Sequence, residues 1–150
     1  MLKLFIPGPP PTVTAQMKGV RCVPSNGATL PMFYKKKALK LAENHYLSSI
    51  PRGNPYKGPV GVRIEFQWPW RKSEPKKNRA LGWKPKDTKP DADNSTKLVL
   101  DCLTKQQFGF ADDAQVAELT ALKTWGDDPG TFIQVWALED GMWQDRNAVA

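Results

Sequence analysis

The sequence predicts an α/β domain of the α+β kind, with a small mixed β-sheet and two helices packed on one face. Residues 60–68 (VGVRIEFQW) alternate apolar and polar side chains, as a half-buried strand does. Apolar side chains recur at helical spacing in residues 32–49 and 93–106, which predicts the two helices. Further strands are predicted at three places, which gives the order βαβαββ: residues 2–6, 114–125 and 131–138.

The length of 150 residues fits a single domain over residues 1–150. Residues 8–30 show no clear period and are interpreted as irregular. Residues 69–90 hold four prolines and eight Lys or Arg, again without a period of 2 or 3.6. They predict one long, basic, mobile loop. The last ten residues, 141–150, are expected to fray.

Charge is distributed unevenly along the chain, although the net charge is +7. Residues 1–90 hold 18 Lys or Arg and only 4 acids, whereas residues 91–150 hold 4 and 11. This pattern indicates a polyanionic partner for the first part, and Trp70 and Trp83 could stack on bases there. The nucleic-acid-binding residues predicted in the basic loop are Lys76, Lys77, Arg79, Lys84, Lys86 and Lys89.

Cysteine usage argues against a zinc site or a disulfide framework, since Cys22 and Cys102 lie far apart and neither belongs to a CxxC motif. No apolar run approaches the length of a membrane span, and the first residues are too short an apolar stretch for a signal sequence. We therefore expect a soluble protein of a reducing cytoplasm.

The motif KPDADNSTKLVLDCL, residues 89–103, places Asp91 and Asp93 one residue apart, directly after the basic loop. In an extended stretch both carboxylates would point the same way and would repel each other without a cation between them. Oxygen ligands of this kind suit Mg²⁺, with Mn²⁺ as a substitute. The alternative is structural: Asp93 or Asn94 could simply cap the following helix.

A second acidic pair, Asp112 and Asp113, precedes the strand predicted at residues 114–125. The chain re-entering the sheet could bring Asp113 close to Asp91 and Asp93, although a tight turn would also explain ADDA. Lys97 lies one helical turn after Asp93 and could stabilise charge on a phosphate. Its alternative role is an exposed ion pair, worth only about 0.3–0.5 kcal/mol.

The motif KPDADNSTK followed by FADDAQV resembles the RusA family of Holliday junction resolvases, small endodeoxyribonucleases often carried by phages and prophages. The resemblance implies that Asp91, Asp93 and Asp113 bind the metal and that Lys97 is the catalytic lysine. Asp112 is implied only as a neighbour of these ligands. The resemblance also implies a homodimer whose two active sites cut opposite strands of a four-way junction.

We therefore expect a Mg²⁺-dependent endodeoxyribonuclease that acts on branched DNA in recombination and repair. The rival is a basic nucleic-acid-binding protein without catalysis, which would explain residues 69–90 but would leave the aspartates without a role. A nuclease of the same chemistry acting on RNA or on flaps is a third alternative.

Overall fold

The computed structural model describes residues 1–13 and 18–139, so the predicted fraying of residues 141–150 lies outside the described part. The described residues form strands and helices whose class, α+β, is as predicted. In chain order they are β1 (Leu2–Pro7), β2 (Lys18–Ser25), β3 (Ala28–Lys35), α1 (Lys37–Ser49), β4 (Val60–Pro69), α2 (Lys76–Arg79), β5 (Trp83–Pro85), α3 (Ala92–Gln106), β6 (Val116–Gly126) and β7 (Gly130–Ala137).

The main sheet is mixed and has the strand order β1-β7-β4-β6-β5. Strands β4 and β6 are parallel, whereas the other neighbouring pairs are antiparallel. Because parallel neighbours need a crossover connection, the chain cannot pass directly from β4 to β6, and α2, β5 and α3 lie between them. Helix α3 is the last helix of this crossover and leads the chain back to the start of β6.

The core lies between one face of this sheet and helices α1 and α3, as predicted. Alternate residues of β4 are buried there, with Leu39, Ala42 and Tyr46 of α1. Helix α3 contributes an apolar face to the same core: Leu98, Val99, Cys102 and Leu103. Burying each large apolar side chain contributes roughly 1.5–3 kcal/mol, so this layer is the main source of stability.

The other face of the sheet carries polar side chains. Lys3 of β1 and Arg63 of β4 both stand opposite Gln134 of β7 in the strand register. Their neighbours Leu4 and Ile64 stand opposite Ile133 and point towards the core. Lys3 and Arg63 therefore lie on the face that is remote from the helices.

Residues 18–35 form a two-stranded hairpin, so the irregular interpretation of residues 8–30 is wrong over its second half. Ser25 pairs with Ala28 around Asn26 and Gly27, which both have positive φ, 44° and 80°. An Asn-Gly pair favours such a two-residue hairpin turn.

The helix predicted from residue 32 begins only at Lys37, because residues 28–35 are taken up by β3. Leu41, which helical spacing from residue 34 places on the apolar face, is 59% exposed. Ala42 and Tyr46 of the same predicted face are buried as expected, and Leu39 is buried as well.

The basic segment, residues 69–90, is also not one long loop. It contains the short helix α2 and the strand β5, which extends the sheet by pairing antiparallel with β6. The Glu74 carboxylate accepts hydrogen bonds from Asn78 of α2 and Lys84 of β5, at 2.7 and 3.1 Å. These bonds hold the pKa of Glu74 below its usual value and tie α2 to β5.

Candidate active site

Helix α3 begins at the first aspartate of the motif. Asp91 occupies the N-cap position with extended backbone, but its side chain makes no capping hydrogen bond. Both carboxylate oxygens instead accept from the Lys89 ammonium group at 2.7 Å. This bond lowers the pKa of Asp91. The alternative that Asp93 or Asn94 caps the helix is therefore wrong, since both residues lie inside its first turn.

Asp93 is the second residue of α3, so the extended geometry assumed for the two aspartates is also wrong. Residues two apart at a helix start do not face each other, so the chain does not set the two carboxylates side by side. Asp93 is exposed, and within residues 18–139 its carboxylate has no ion-pair partner. It faces a surface pocket, whereas Asp91 is directed towards Lys89.

The pocket beside Asp93 has a volume of about 380 Å³ and lies between α3 and β6. Asp113 forms part of its wall, which brings two of the predicted metal ligands to one place. Lys97 and Asp101 of α3 line the same pocket. Apolar side chains of the helix and strand also line it: Leu100, Leu119 and Ala121.

Asp112 and Asp113 have different surroundings although they are adjacent. The Asp112 carboxylate accepts a hydrogen bond from Ala114 N at 2.8 Å, and the Gln115 side chain accepts from Asp112 N in return. This reciprocal arrangement is a capping box at the start of a short 3₁₀ turn. The Asp113 carboxylate has no such bond among the described residues and is free to bind a cation. The turn thus uses Asp112, whereas Asp113 lines the pocket beside Asp93.

Lys97 projects from the exposed side of α3, and its side chain is 62% exposed. Its ammonium nitrogen lies 3.7 Å from Oδ1 of Asp101, one helical turn later. Lys97 lines the pocket beside Asp93 and also a second, adjoining pocket. This position places a positive charge in the same pocket as Asp93 and Asp113.

The adjoining pocket, of about 390 Å³, is walled by residues that sequence motifs do not reveal. It shares Lys97, Asp101 and Asp113 with the first pocket, so the two form one cleft. Besides Leu39, Thr104 and Asp112, the new members are four charged residues: Lys18, Lys35, Glu43 and Lys105. No local signal marks them, because they come from the hairpin, α1 and the end of α3.

The donors in the cleft fit a hard divalent cation. Mg²⁺ commonly takes one or two carboxylates and completes its shell with water and phosphate oxygens. Asp93 and Asp113 supply those carboxylates, and Thr96 lines the same pocket with a buried hydroxyl that has no hydrogen-bond partner in the described structure. A water molecule of a hydrated ion would satisfy this hydroxyl. Residues 1–13 and 18–139 contain no preformed group of three acidic, His or Cys ligands.

The basic residues predicted to bind nucleic acid fall into two groups. Lys76, Lys77 and Arg79 lie on α2 and are exposed, although Arg79 also donates to the carbonyl of Arg71. Lys89 is exposed and pairs with Asp91. Lys84 is half-buried and pairs with Glu74 at 3.1 Å, whereas Lys86 is directed into the protein.

Lys86 in particular is only 7% exposed. Its ammonium group donates to the carbonyls of Thr88 and Lys89, at 3.2 and 2.5 Å, and lies 4.3 Å from the ring centroid of Trp125. Burial lowers the pKa of this lysine. The prediction that it binds nucleic acid is corrected accordingly: Lys86 holds the chain that leads into Asp91.

The mixed sheet, the crossover helix and the carboxylate cleft together define a small domain of the α+β class. The profile of the family described as Endodeoxyribonuclease RusA matches residues 9–136, which is most of the chain. The chain therefore belongs to the RusA endodeoxyribonuclease family, as its motifs predicted.

No curated protein matches the sequence significantly. Among the described residues, no helix is both long and apolar enough to cross a membrane.

Proposed function

We propose that this protein is a metal-dependent endonuclease that resolves four-way DNA junctions by cutting two strands. The observation that supports this most strongly is the meeting of Asp93, Asp113 and Lys97 in one cleft, in a chain of an endodeoxyribonuclease family. A pure DNA-binding protein would gain nothing from unpaired carboxylates beside its basic surface, because phosphodiesters repel them.

In this proposal Asp93 and Asp113 hold Mg²⁺, and Asp91 joins them from the adjacent N-cap. Mn²⁺ would serve as a substitute. When bound, the ion activates water and offsets negative charge on the phosphate. Lys97 then binds a non-bridging oxygen of the scissile phosphate and stabilises the charge that develops there. The 3.7 Å pair with Asp101 keeps the lysine over the cleft until DNA arrives.

The exposed lysines of α2 bring the DNA backbone to the cleft by long-range attraction. Paired cleavage of opposite strands requires two such clefts, so the active form in this proposal is a homodimer. Each protomer would contribute one set of carboxylates and cut one strand.

The decisive experiment incubates the purified protein with a synthetic four-way junction, a matched linear duplex, a flapped duplex, single strands and an RNA junction. Each substrate is tested with Mg²⁺, with Mn²⁺ and with EDTA. Paired, metal-dependent nicks confined to the DNA junction are expected. Junction binding without cleavage under all conditions would favour the rival, a non-catalytic binding protein, and cleavage of flaps or RNA alone would change the substrate.

A further inference from the structure

The open end of the β2–β3 hairpin places two lysines in the catalytic cleft. Lys18 stands directly opposite Lys35 in the hairpin register, so both side chains project from the same face of the ribbon. Both line the pocket that also holds Lys97 and Asp113. Like charges directly opposite each other destabilise a strand pair, so this arrangement calls for a negative partner.

Glu43 of α1 supplies only part of that negative charge. Its side chain is 12% exposed, and one oxygen, Oε1, accepts from Lys35 at 2.5 Å and from Lys105 at 3.4 Å. The carboxylate raises the pKa of Lys35, which therefore stays protonated. Two ammonium groups share one carboxylate, and Lys18 adds a third positive charge. The acids Asp101, Asp112 and Asp113 line the same pocket, so its four lysines are balanced by four carboxylates, and a cation held by Asp113 would leave the lysines in excess.

We propose that Lys18 and Lys35, with Lys105 beside them, form a binding subsite for a DNA backbone phosphate next to the scissile one. The inference rests on the proposed function, since it assumes that a DNA strand crosses the cleft. The strand would present its scissile phosphate to Asp93 and Asp113 and its neighbouring phosphate to the lysines. Glu43 is a positioning residue, because its carboxylate pairs with both Lys35 and Lys105.

The first test measures junction binding in EDTA, where no metal-dependent cleavage occurs. The variant is Lys18→Ala with Lys35→Ala, and its matched control is Lys3→Ala with Arg63→Ala. The control removes the same charge from the opposite face of the sheet. Removing two charge-assisted hydrogen bonds to phosphate should weaken binding at least about tenfold. The slope of log affinity against log salt should fall by roughly 0.9 for each phosphate that the variant no longer neutralises, and the control should change neither quantity.

The second test locates the contact. Single phosphates near the crossover of the junction are replaced, one at a time, by neutral methylphosphonates. Wild-type protein should lose affinity at each phosphate that it binds, and the double variant should be insensitive at one or two of those positions only. A purely structural role for the lysines would lower the melting temperature without changing this profile.

Lys35 also joins the hairpin to α1, so its truncation could loosen the fold. Lys18→Gln with Lys35→Gln keeps a hydrogen-bond donor for Glu43 and removes only the charge. Its methylphosphonate profile should match that of the alanine pair.

The proposal is overturned if wild-type and variant profiles coincide at every position. A wild-type protein that cuts no DNA would refute the proposed function, whereas the binding comparison would still decide the lysine subsite.

Discussion

Lys97 and Asp101 form an ion pair across one turn of α3, with Nζ and Oδ1 3.7 Å apart and with side chains 62% and 38% exposed. Exposed pairs at this spacing contribute only about 0.3–0.5 kcal/mol. The lysine can therefore leave Asp101 for a phosphate at small cost. A weak pair of this kind is compatible with the catalytic role proposed for Lys97.

Replacing Lys97 with alanine should reduce the single-turnover cleavage rate of a saturated junction by roughly 10²–10³, the effect of removing one preorganised donor. The free energy of unfolding should change by less than about 1 kcal/mol. Lys97→Arg should recover part of the rate, because the guanidinium is longer and planar. Lys3→Ala is the control. A cleavage rate near that of wild type in folded Lys97→Ala would mean that Lys97 is only an exposed polar residue of α3.

Asp112 and Asp113 allow a comparison of two adjacent residues with the same chemical change. Asn caps helices as well as Asp does, so Asp112→Asn should keep the capping box and cleavage close to wild type. Asp113→Asn should abolish cleavage while junction binding stays equal or becomes tighter, because the change removes a metal ligand and a negative charge together. Gel-shift and single-turnover assays separate the two effects. If both variants cleave the junction at the wild-type rate, Asp113 is not a metal ligand.

The same test applies to the start of α3. Asp93→Asn should abolish cleavage as Asp113→Asn does, because both carboxylates line the pocket. Asp91→Asn should also abolish it if Asp91 turns from Lys89 to the ion, as proposed. Retained cleavage in Asp91→Asn alone would limit the metal ligands to the two pocket residues.

The exposed lysines of α2 should act on DNA affinity and not on chemistry. Lys76→Ala with Lys77→Ala should weaken binding to junction, duplex and single strands alike. The salt slope should fall by up to about 0.9 for each phosphate that these lysines neutralise in the wild-type complex. Lys3→Ala with Arg63→Ala removes an equal charge elsewhere and serves as control. An unchanged slope would show that α2 does not touch the backbone.

Lys86 should behave in the opposite way to its neighbours in the basic segment. Lys86→Met keeps the apolar stem but removes the hydrogen bonds of the ammonium group and its interaction with the Trp125 ring. Urea denaturation should show a decrease of about 2 kcal/mol in the free energy of unfolding. The salt slope of DNA binding should stay that of wild type. A weaker slope at unchanged stability would return Lys86 to the DNA-binding surface.

Glu43 should make stability depend on pH. Burial acts to raise its pKa, but the bonds from Lys35 and Lys105 outweigh burial and lower it. The unfolded chain therefore binds more protons on the acid side, and this stabilisation is lost as pH falls through the ordinary Glu range to the lowered value. In urea titrations between about pH 3 and pH 7, Glu43→Gln should lose less stability on acidification than wild type. Parallel pH curves for the two proteins would contradict the ion-pair network.

Much of the fold was predictable because β4 and α3 each have a buried face. Apolar side chains therefore recur every 2 residues in the strand and about every 3.6 residues in the helix. The hairpin was missed because both of its faces are largely exposed and Pro24 and Pro31 interrupt the pattern. The Asn26-Gly27 pair was the available signal. Without a buried face, the apolar residues of β3 were assigned to the helix that follows it.

For the site, sequence spacing singled out Asp93, Lys97 and Asp113, and the structure places all three around one pocket. Sequence spacing did not reveal that Asp91 binds Lys89. This contact depends on the exact residue at which the extended chain becomes helix, and a shift of one residue would change it. The environment of Lys86 depends on Trp68 and Trp125, which are distant in sequence. Such contacts come from tertiary packing, which no local period encodes.

The two cysteines give the protein a natural labelling position. Cys102 is buried in α3, and burial raises its thiol pKa to about 11, so little thiolate forms near neutral pH. Cys22 is exposed on β2, on the same ribbon face as Lys18. A maleimide dye should therefore react at the hairpin alone, without engineering of the sequence. Its fluorescence would report, in real time, when DNA reaches this side of the cleft.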